Sequence, residues 1–236
     1  VGQINWNRVN DIIFVCKHIQ DLSIAQIAVG DTLKKNPLTW IIPNGIDINR
    51  FAFKERTRGP NIAYLGAINH KKGPMLLLHA FHALFTMSQK YHLHIAGKYQ
   101  DPRYRFYFKK MVKKLGIEDN VHEHGEISKP ENWLDDMNYI INSSVLEGHP
   151  VGIAEAMAMG IKPLIHSFVG SDNLYPDDYI WYTIPELKKL VKSKDYNSSE
   201  YRDYVIQNGW TLDSQMESIL EILQKNKQEE YTENNL

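Results

Sequence analysis

From Asn61 onward the chain alternates short apolar runs with segments whose apolar residues recur at helical spacing, and Gly or Pro marks most of the joints. A strand followed by a helix and another strand has too long a connection for a hairpin, so successive strands align in parallel and the helices cover both faces of the sheet. The reading is therefore α/β: a Rossmann-like doubly wound parallel sheet. Strands are expected at 62–65, 93–96, near Val121, at 139–141 and at 161–166, with 179–182 as an edge or final strand. Helices are expected at 75–88, with Pro74 as its natural first residue, at 102–115, closed by Gly116, and at 130–137, 185–191, 198–207 and 211–224. Ahead of the alternation, 11–15 reads as a strand, 17–29 as a helix, and 39–42 as a strand ended by the turn Pro43-Asn44-Gly45.

The connection after the strand at 139–141 carries the most chemistry. It passes through Glu147, Gly148, His149 and Pro150 into a helix-forming segment that contains Glu155 and stops at Gly160. Open α/β sheets hold ligands where a strand C-terminus feeds a helix N-terminus. The first-turn N–H groups of Val151, Gly152 and Ile153, together with the helix dipole, favour an anion such as a diphosphate. Two carboxylates would repel that anion, but each suits a sugar diol, whose neighbouring hydroxyls can donate to its two oxygens. A ligand with a central anion and hydroxyl-rich groups on either side is a nucleotide sugar. The plain alternative is a pair of solvated acids in a loop and a helix start, where Glu is common.

Glu147-Gly148-His149-Pro150, followed by Glu155 and Gly160, resembles the E-x7-E signature of the family 4 glycosyltransferases, a large retaining group with the GT-B fold. The similarity extends to Asn44-Gly45-Ile46-Asp47 with Phe51, Tyr64-Leu65-Gly66 with Lys72-Gly73, the run from Leu93 to Gly97, Leu115-Gly116 with Val121, and Gly125. The resemblance implies the C-terminal, donor-binding half of a GT-B enzyme. On that pattern 1–43 ends the N-terminal domain and forms the linker, and 44–197 is the nucleotide-sugar-binding Rossmann-like domain. The crossing helices occupy 198–224, and 225–236 is a disordered tail.

The resemblance also implies the chemistry: a hexosyltransferase passing sugar, with retention, from a UDP- or GDP-linked donor to a glycan or lipid-linked acceptor in cell-surface polysaccharide synthesis. It implies no metal and no cofactor, the nucleotide sugar being the substrate. Glu147 and Lys72 would be catalytic. Gly66, Lys71, Lys72, Glu147, Gly148, His149, Pro150, Val151, Gly152, Ile153 and Glu155 would bind the donor. The remainder of an N-terminal domain would be the partner that carries the acceptor, so this chain alone is expected to bind nucleotide and transfer little or no sugar.

Composition sets the outer limits. At 236 residues there is room for one sizeable α/β domain, or a domain with a fragment of another. A net charge of −1 argues against nucleic acid as a general partner. A single cysteine, Cys16, excludes an internal disulfide framework and fits a reducing compartment, and it reads as a small buried apolar residue. No run of residues has the length of a transmembrane helix and no secretory pattern is present, so the expected location is cytoplasmic. The segment 102–115 carries Lys109, Lys110, Lys113 and Lys114 on its outer face, either as a solvated surface or as peripheral contact with an anionic membrane face.

The loop 66–73 is neither a Walker loop nor a dinucleotide fingerprint. It offers a glycine at a strand end and then Lys71 and Lys72, cations that could offset charge growing on a departing diphosphate. The resembled family usually has arginine directly after the first glycine; this chain has Ala67. That departure supports a second reading, a non-catalytic nucleotide-sugar-binding module or pairing subunit. A third, an epimerase or phosphorylase of the same fold, lacks a cofactor lysine that can be placed. His149 either lines the sugar pocket or serves through its backbone alone, while Gly148 and Gly152 would let the backbone approach the ligand. His92/His94 and His122/His124 are spaced for one face of a strand, but no third ligand follows at a defined spacing, so no metal site is assigned.

Overall fold

The computed structural model describes residues 8–30 and 37–233. β1 (Asp11–Phe14), α1 (Lys17–Gly30) and β2 (Leu38–Ile41) form a small unit whose two strands pair in parallel, Asp11 opposite Leu38 and Phe14 opposite Ile41. The alternating region then supplies β3 (Asn61–Leu65), α2 (Pro74–Met87), β4 (His92–Ala96), α3 (Pro102–Leu115), β5 (Val121–Gly125), α4 (Pro130–Leu134) and β6 (Tyr139–Asn142). It continues with α5 (Val151–Ala158), β7 (Lys162–His166), β8 (Ile180–Trp181), α6 (Ile184–Lys192), α7 (Ser198–Gln207) and α8 (Leu212–Glu233). Six of these strands make one all-parallel sheet in the order β5-β4-β3-β6-β7-β8.

Strand alternation divides the core in two. Ile62, Tyr64, Leu93, Ile95, Tyr139, Ile141 and Leu164 point to the face covered by α2, α3 and α6. Ala63, Ile140 and Ile165 point to the other, covered by α4, α5 and α7. α2 buries Leu77, Leu78, Phe81 and Leu84, and burial of each such side chain stabilises by about 1.5–3 kcal/mol, so packing holds this helix more than propensity does. Pro74 at its start and Gly116 in the left-handed region after α3 mark helix ends as expected.

Buried Arg56 ties the layers together. It donates to the carbonyls of Met159 (2.9 Å), Asp135 (2.6 Å) and Met137 (3.0 Å), so one guanidinium fork satisfies three carbonyls at the ends of α4 and α5.

α8 departs from the expected ending at 224. It continues as helix to Glu233, through a run of Lys, Gln and Glu that are good helix formers, so the expected disordered tail begins as helix; 234–236 lie outside the described residues. α8 meets the β1–β2 unit: Asn226 donates to Asp11 (2.7 Å), the Lys225 ammonium lies 5.3 Å from the Trp40 ring centre, and Ile222 is buried. Its stripe of Leu212, Met216, Leu220 and Leu223 is exposed. Among the described residues no helix is long and apolar enough to cross a membrane.

Candidate active site

The strand order reverses beside β3. β4 and β5 extend the sheet to one side and β6 to the other, so the C-terminal ends of β3 and β6 flank the crevice where such sheets bind ligands. The loops 66–73 and 143–150 leave from those two ends and are stitched together. Val145 N–H donates to the Lys71 carbonyl (2.8 Å) and the Ser143 hydroxyl to the Lys72 carbonyl (2.8 Å). Gly73 turns at φ 58°, and a Cβ there would fall 2.1 Å from the Ser143 oxygen, so the loops meet this closely only around glycine. Asn69 Oδ1 accepts from Lys72 N–H (3.2 Å), closing the short 3-10 turn that presents Lys72.

Lys72 Nζ donates to Glu147 Oε1 at 2.5 Å, with the two side chains 27% and 10% exposed. The same oxygen accepts from Ser144 Oγ (2.6 Å) and Asn142 Nδ2 (3.3 Å). Three donors converge on Oε1, while Oε2 has no hydrogen-bond partner among the described residues. An ammonium has three protons, so Lys72 can hold Glu147 and still offer two to an anion. His18 Nε2–H, from α1, donates to the Glu147 carbonyl (2.7 Å), and His166 Nδ1–H donates to the Ser144 carbonyl (2.9 Å). Lys71 is exposed, with no ion-pair partner among the described residues.

α5 buries Ile153, Ala154, Ala156, Met157 and Ala158, leaving Val151 exposed and Gly152 and Glu155 half-buried, with Glu155 one helical turn beyond the other two. Of the three amides expected to face an anion, Ile153 N–H is already taken. It donates to the Pro150 carbonyl (3.1 Å), which also accepts from Ala154 (3.3 Å) and so tightens the first turn. The amides of Val151 and Gly152 have no acceptor among the described residues. The Glu155 carboxyl has no hydrogen bond or ion pair among the described residues either. Burial pushes its carboxyl up to about 7, with Arg50 opposing the shift and Glu131 adding to it.

His149 does not fit the sugar-pocket reading. Its ring is 5% exposed and packs edge-on against Trp210, with centroids 4.4 Å apart and planes at 82°. Burial lowers its pKa to about 4, so the ring is neutral, and both ring nitrogens lack partners. Its carbonyl accepts from Asn44 Nδ2 (3.1 Å), which fits the backbone reading and the turn-shaping role of Asn44. The two signature glycines also answer to protein contacts. A Cβ on Gly148 would meet Val15 Cγ2 at 3.2 Å, and one on Gly152 would meet Leu65 Cδ2 at 3.2 Å. Gly66 sits at φ 152°, with its amide donating to the Ala96 carbonyl (2.9 Å), and no arginine stands at Ala67.

The four histidines make a ladder across β4 and β5: His92 Nδ1 lies 3.1 Å from His122 Nε2 and His94 Nδ1 lies 3.2 Å from His124 Nε2. Burial first, then the neighbouring imidazoles, holds His94 down at about 4. Among the described residues no three or more His, Cys, Asp or Glu side chains are arranged to hold a metal ion. A cleft of about 590 Å³ opens at the C-terminal ends of β4 and β5 beside Lys98, Arg105, Glu123 and Glu126. It contains neither signature carboxylate but adjoins the loop 66–73 through Ile68, which bridges to Tyr99.

Sequence reasoning missed Asn142, Ser144 and His18. The polar run Asn142-Ser143-Ser144 directly after an apolar strand was a visible sign of the first two. His18 is 129 positions from Glu147, and no local pattern announces that contact.

The doubly wound parallel sheet is that of one half of a GT-B glycosyltransferase. The chain belongs to the family described as Glycosyl transferases group 1, whose profile matches residues 45–175. It is 29% identical over 101 residues to Protein CapJ of Staphylococcus aureus, a stretch covering 41% of this chain and 26% of CapJ. The fold is similar to that of S. aureus TarM, solved with Fondaparinux, alpha-GlcNAc-glycerol and UDP, with a TM-score of 0.74 and 19% identity, over 92% of this chain and 44% of TarM. Anabaena Alr3699/HepE, solved with UDP and glucose, gives a TM-score of 0.74 and 16% identity over 91% of this chain and 63% of HepE. The chain thus spans about a quarter of CapJ and less than half of TarM.

Proposed function

We propose that this chain is the donor-binding part of a retaining glycosyltransferase. It would take a UDP- or GDP-linked sugar and serve transfer to a glycan or lipid-linked acceptor in cell-surface polysaccharide synthesis. The observation that carries the reading is the first turn of α5, where the unused amides of Val151 and Gly152 lie one turn from the half-buried, unpartnered carboxyl of Glu155. The amides and Lys72 hold the diphosphate, Glu155 the ribose diol, and Glu147 Oε2 the sugar hydroxyls. As the sugar leaves, charge grows on the phosphate, and Lys72 meets it without giving up Glu147. The UDP in the TarM and HepE structures supports a uridine donor. On the family pattern, the remainder of an N-terminal domain would be the partner that brings the acceptor. No metal and no cofactor enter this scheme.

Calorimetric titration of UDP- and GDP-sugars tests it. Wild-type chain is expected to bind one class, Glu155→Ala to lose that binding, and a transfer assay on the chain alone to give little or no product. Absence of binding to every nucleotide sugar would refute the donor site. That outcome would favour the second reading, a pairing subunit without donor, whose supporting feature is Ala67 where the family usually has a phosphate-clamping arginine.

A further inference from the structure

We propose that the outer face of α3 is a docking surface for an anionic lipid bilayer. The helix reads PRYRFYFKKMVKKL: six cations and no acid in fourteen residues. The whole chain carries a net charge of −1, so this is local concentration rather than general basicity. Phe108 faces inward and is fully buried, with Met111, Val112 and Leu115 partly buried around it. At 100° per residue, Phe106 falls at the centre of the opposite side. It is 77% exposed, Tyr107 beside it is 44% exposed, and Lys109, Lys110, Lys113 and Lys114 are all exposed around them.

None of the four lysines has an ion-pair partner among the described residues. Arg103 is engaged by Asp101 at the N-cap (2.7 Å), and the next acids, Glu118 and Asp119, lie past the end of the helix. Glu123 and Glu126 lie beside Arg105 at the edge of this face, but the helix itself holds no acid, and an apolar ring standing out of its lysines gains nothing from water or from the fold. At a bilayer, the ring enters the headgroup–acyl boundary while the lysine stems lie along it and their ammonium groups meet lipid phosphates. A nucleic acid would use the same charges but leave a single ring on a convex helix with no row of aromatic platforms for successive bases.

The placement suits a lipid-linked acceptor. In a parallel sheet each connecting helix runs back against the strands, so the N-terminus of α3 lies on the same rim as the loops 66–73 and 143–150. With α3 flat on the surface, the strands run along the bilayer plane and the crevice opens along the membrane, not away from it.

Sedimentation of the 236-residue chain with vesicles tests this, using phosphatidylcholine alone and phosphatidylcholine with phosphatidylglycerol. Partition onto the anionic vesicles is expected to be roughly tenfold stronger or more at low salt and to fall as salt is added. The double change Lys110→Glu and Lys113→Glu should reduce it by roughly tenfold or more. Phe106→Ser should reduce it severalfold at every salt concentration, and neither variant should change the melting temperature. Equal partition onto both vesicle types, variants that bind like wild type, or a short DNA duplex that displaces the chain from anionic vesicles would each overturn the proposal.

Discussion

At Glu155 the carboxyl is pushed up to about 7 by burial, and no protein donor compensates the charge. Below its unfolded pKa both states hold the proton and the group is neutral to stability. As pH rises toward 7 the unfolded chain gives up that proton first, so folded stability falls across this interval and then levels off. A residue kept on such terms makes sense if something outside the protein supplies its hydrogen bonds, as a ribose diol would. Two outcomes follow. Nucleotide affinity is expected to rise between pH 6 and pH 8, as Glu155 (pKa about 7) ionises, and to become flat in Glu155→Gln. The same variant should melt about 2–4 °C higher than wild type at pH 8, which about 1 kcal/mol would produce in a domain of this size, and no higher at pH 4. A wild-type affinity independent of pH, or a variant that melts lower at pH 8, would remove Glu155 from this role.

The elements were legible in the sequence where a single local rule governs them. Buried parallel strands read as apolar runs, and Pro74 and Gly116 mark helix ends whatever lies nearby. What the sequence hid is what other elements impose. Gly73 and Gly116 look alike in the sequence and share the left-handed region, at φ 58° and 65°, yet their surroundings differ. A Cβ on Gly116 meets nothing within 4 Å, whereas one on Gly73 would fall 2.1 Å from the Ser143 oxygen and part the two loops of the site. Gly116→Ala should therefore cost about 1 kcal/mol, the backbone strain alone. Gly73→Ala should cost distinctly more and weaken nucleotide binding with it, since a main-chain oxygen cannot step aside as a flexible side chain can. Equal losses in urea titrations of the two variants would show that the loops are not held by this contact. Similarly, the signature glycines invite a ligand explanation from sequence, but the nearest atoms beside Gly148 and Gly152 belong to Val15 and Leu65. α8 runs past its expected end because its Lys, Gln and Glu residues suit helix as well as they suit a solvated tail.

Across the whole molecule, the β1–α1–β2 unit reaches the site through Val15 and Ile19, which lie beside Gly148, and through one hydrogen bond from a side chain, that of His18. His18, 7% exposed, donates to the Glu147 carbonyl at 2.7 Å, so the backbone of the acid proposed to hold the donor sugar is fixed from another part of the chain. Gly170 makes room for that ring: a Cβ there would lie 2.1 Å from His18 Nδ1. The proposed diphosphate and ribose contacts, in contrast, come from α5 and the loop 66–73, to which His18 makes no hydrogen bond. Removing His18 should therefore split the affinity. His18→Ala is expected to lower nucleotide-sugar binding toward that of the free nucleotide while leaving free-nucleotide binding within about twofold, because one buried hydrogen bond of about 1 kcal/mol positions Glu147 only. Gly170→Ala, which displaces the imidazole without deleting it, should reproduce the pattern. Calorimetry with nucleotide and nucleotide sugar side by side reads both. Parallel loss of the two ligands would mean that His18 supports the fold as a whole, and no loss of either would mean that Glu147 is placed by Lys72, Ser144 and Asn142 alone.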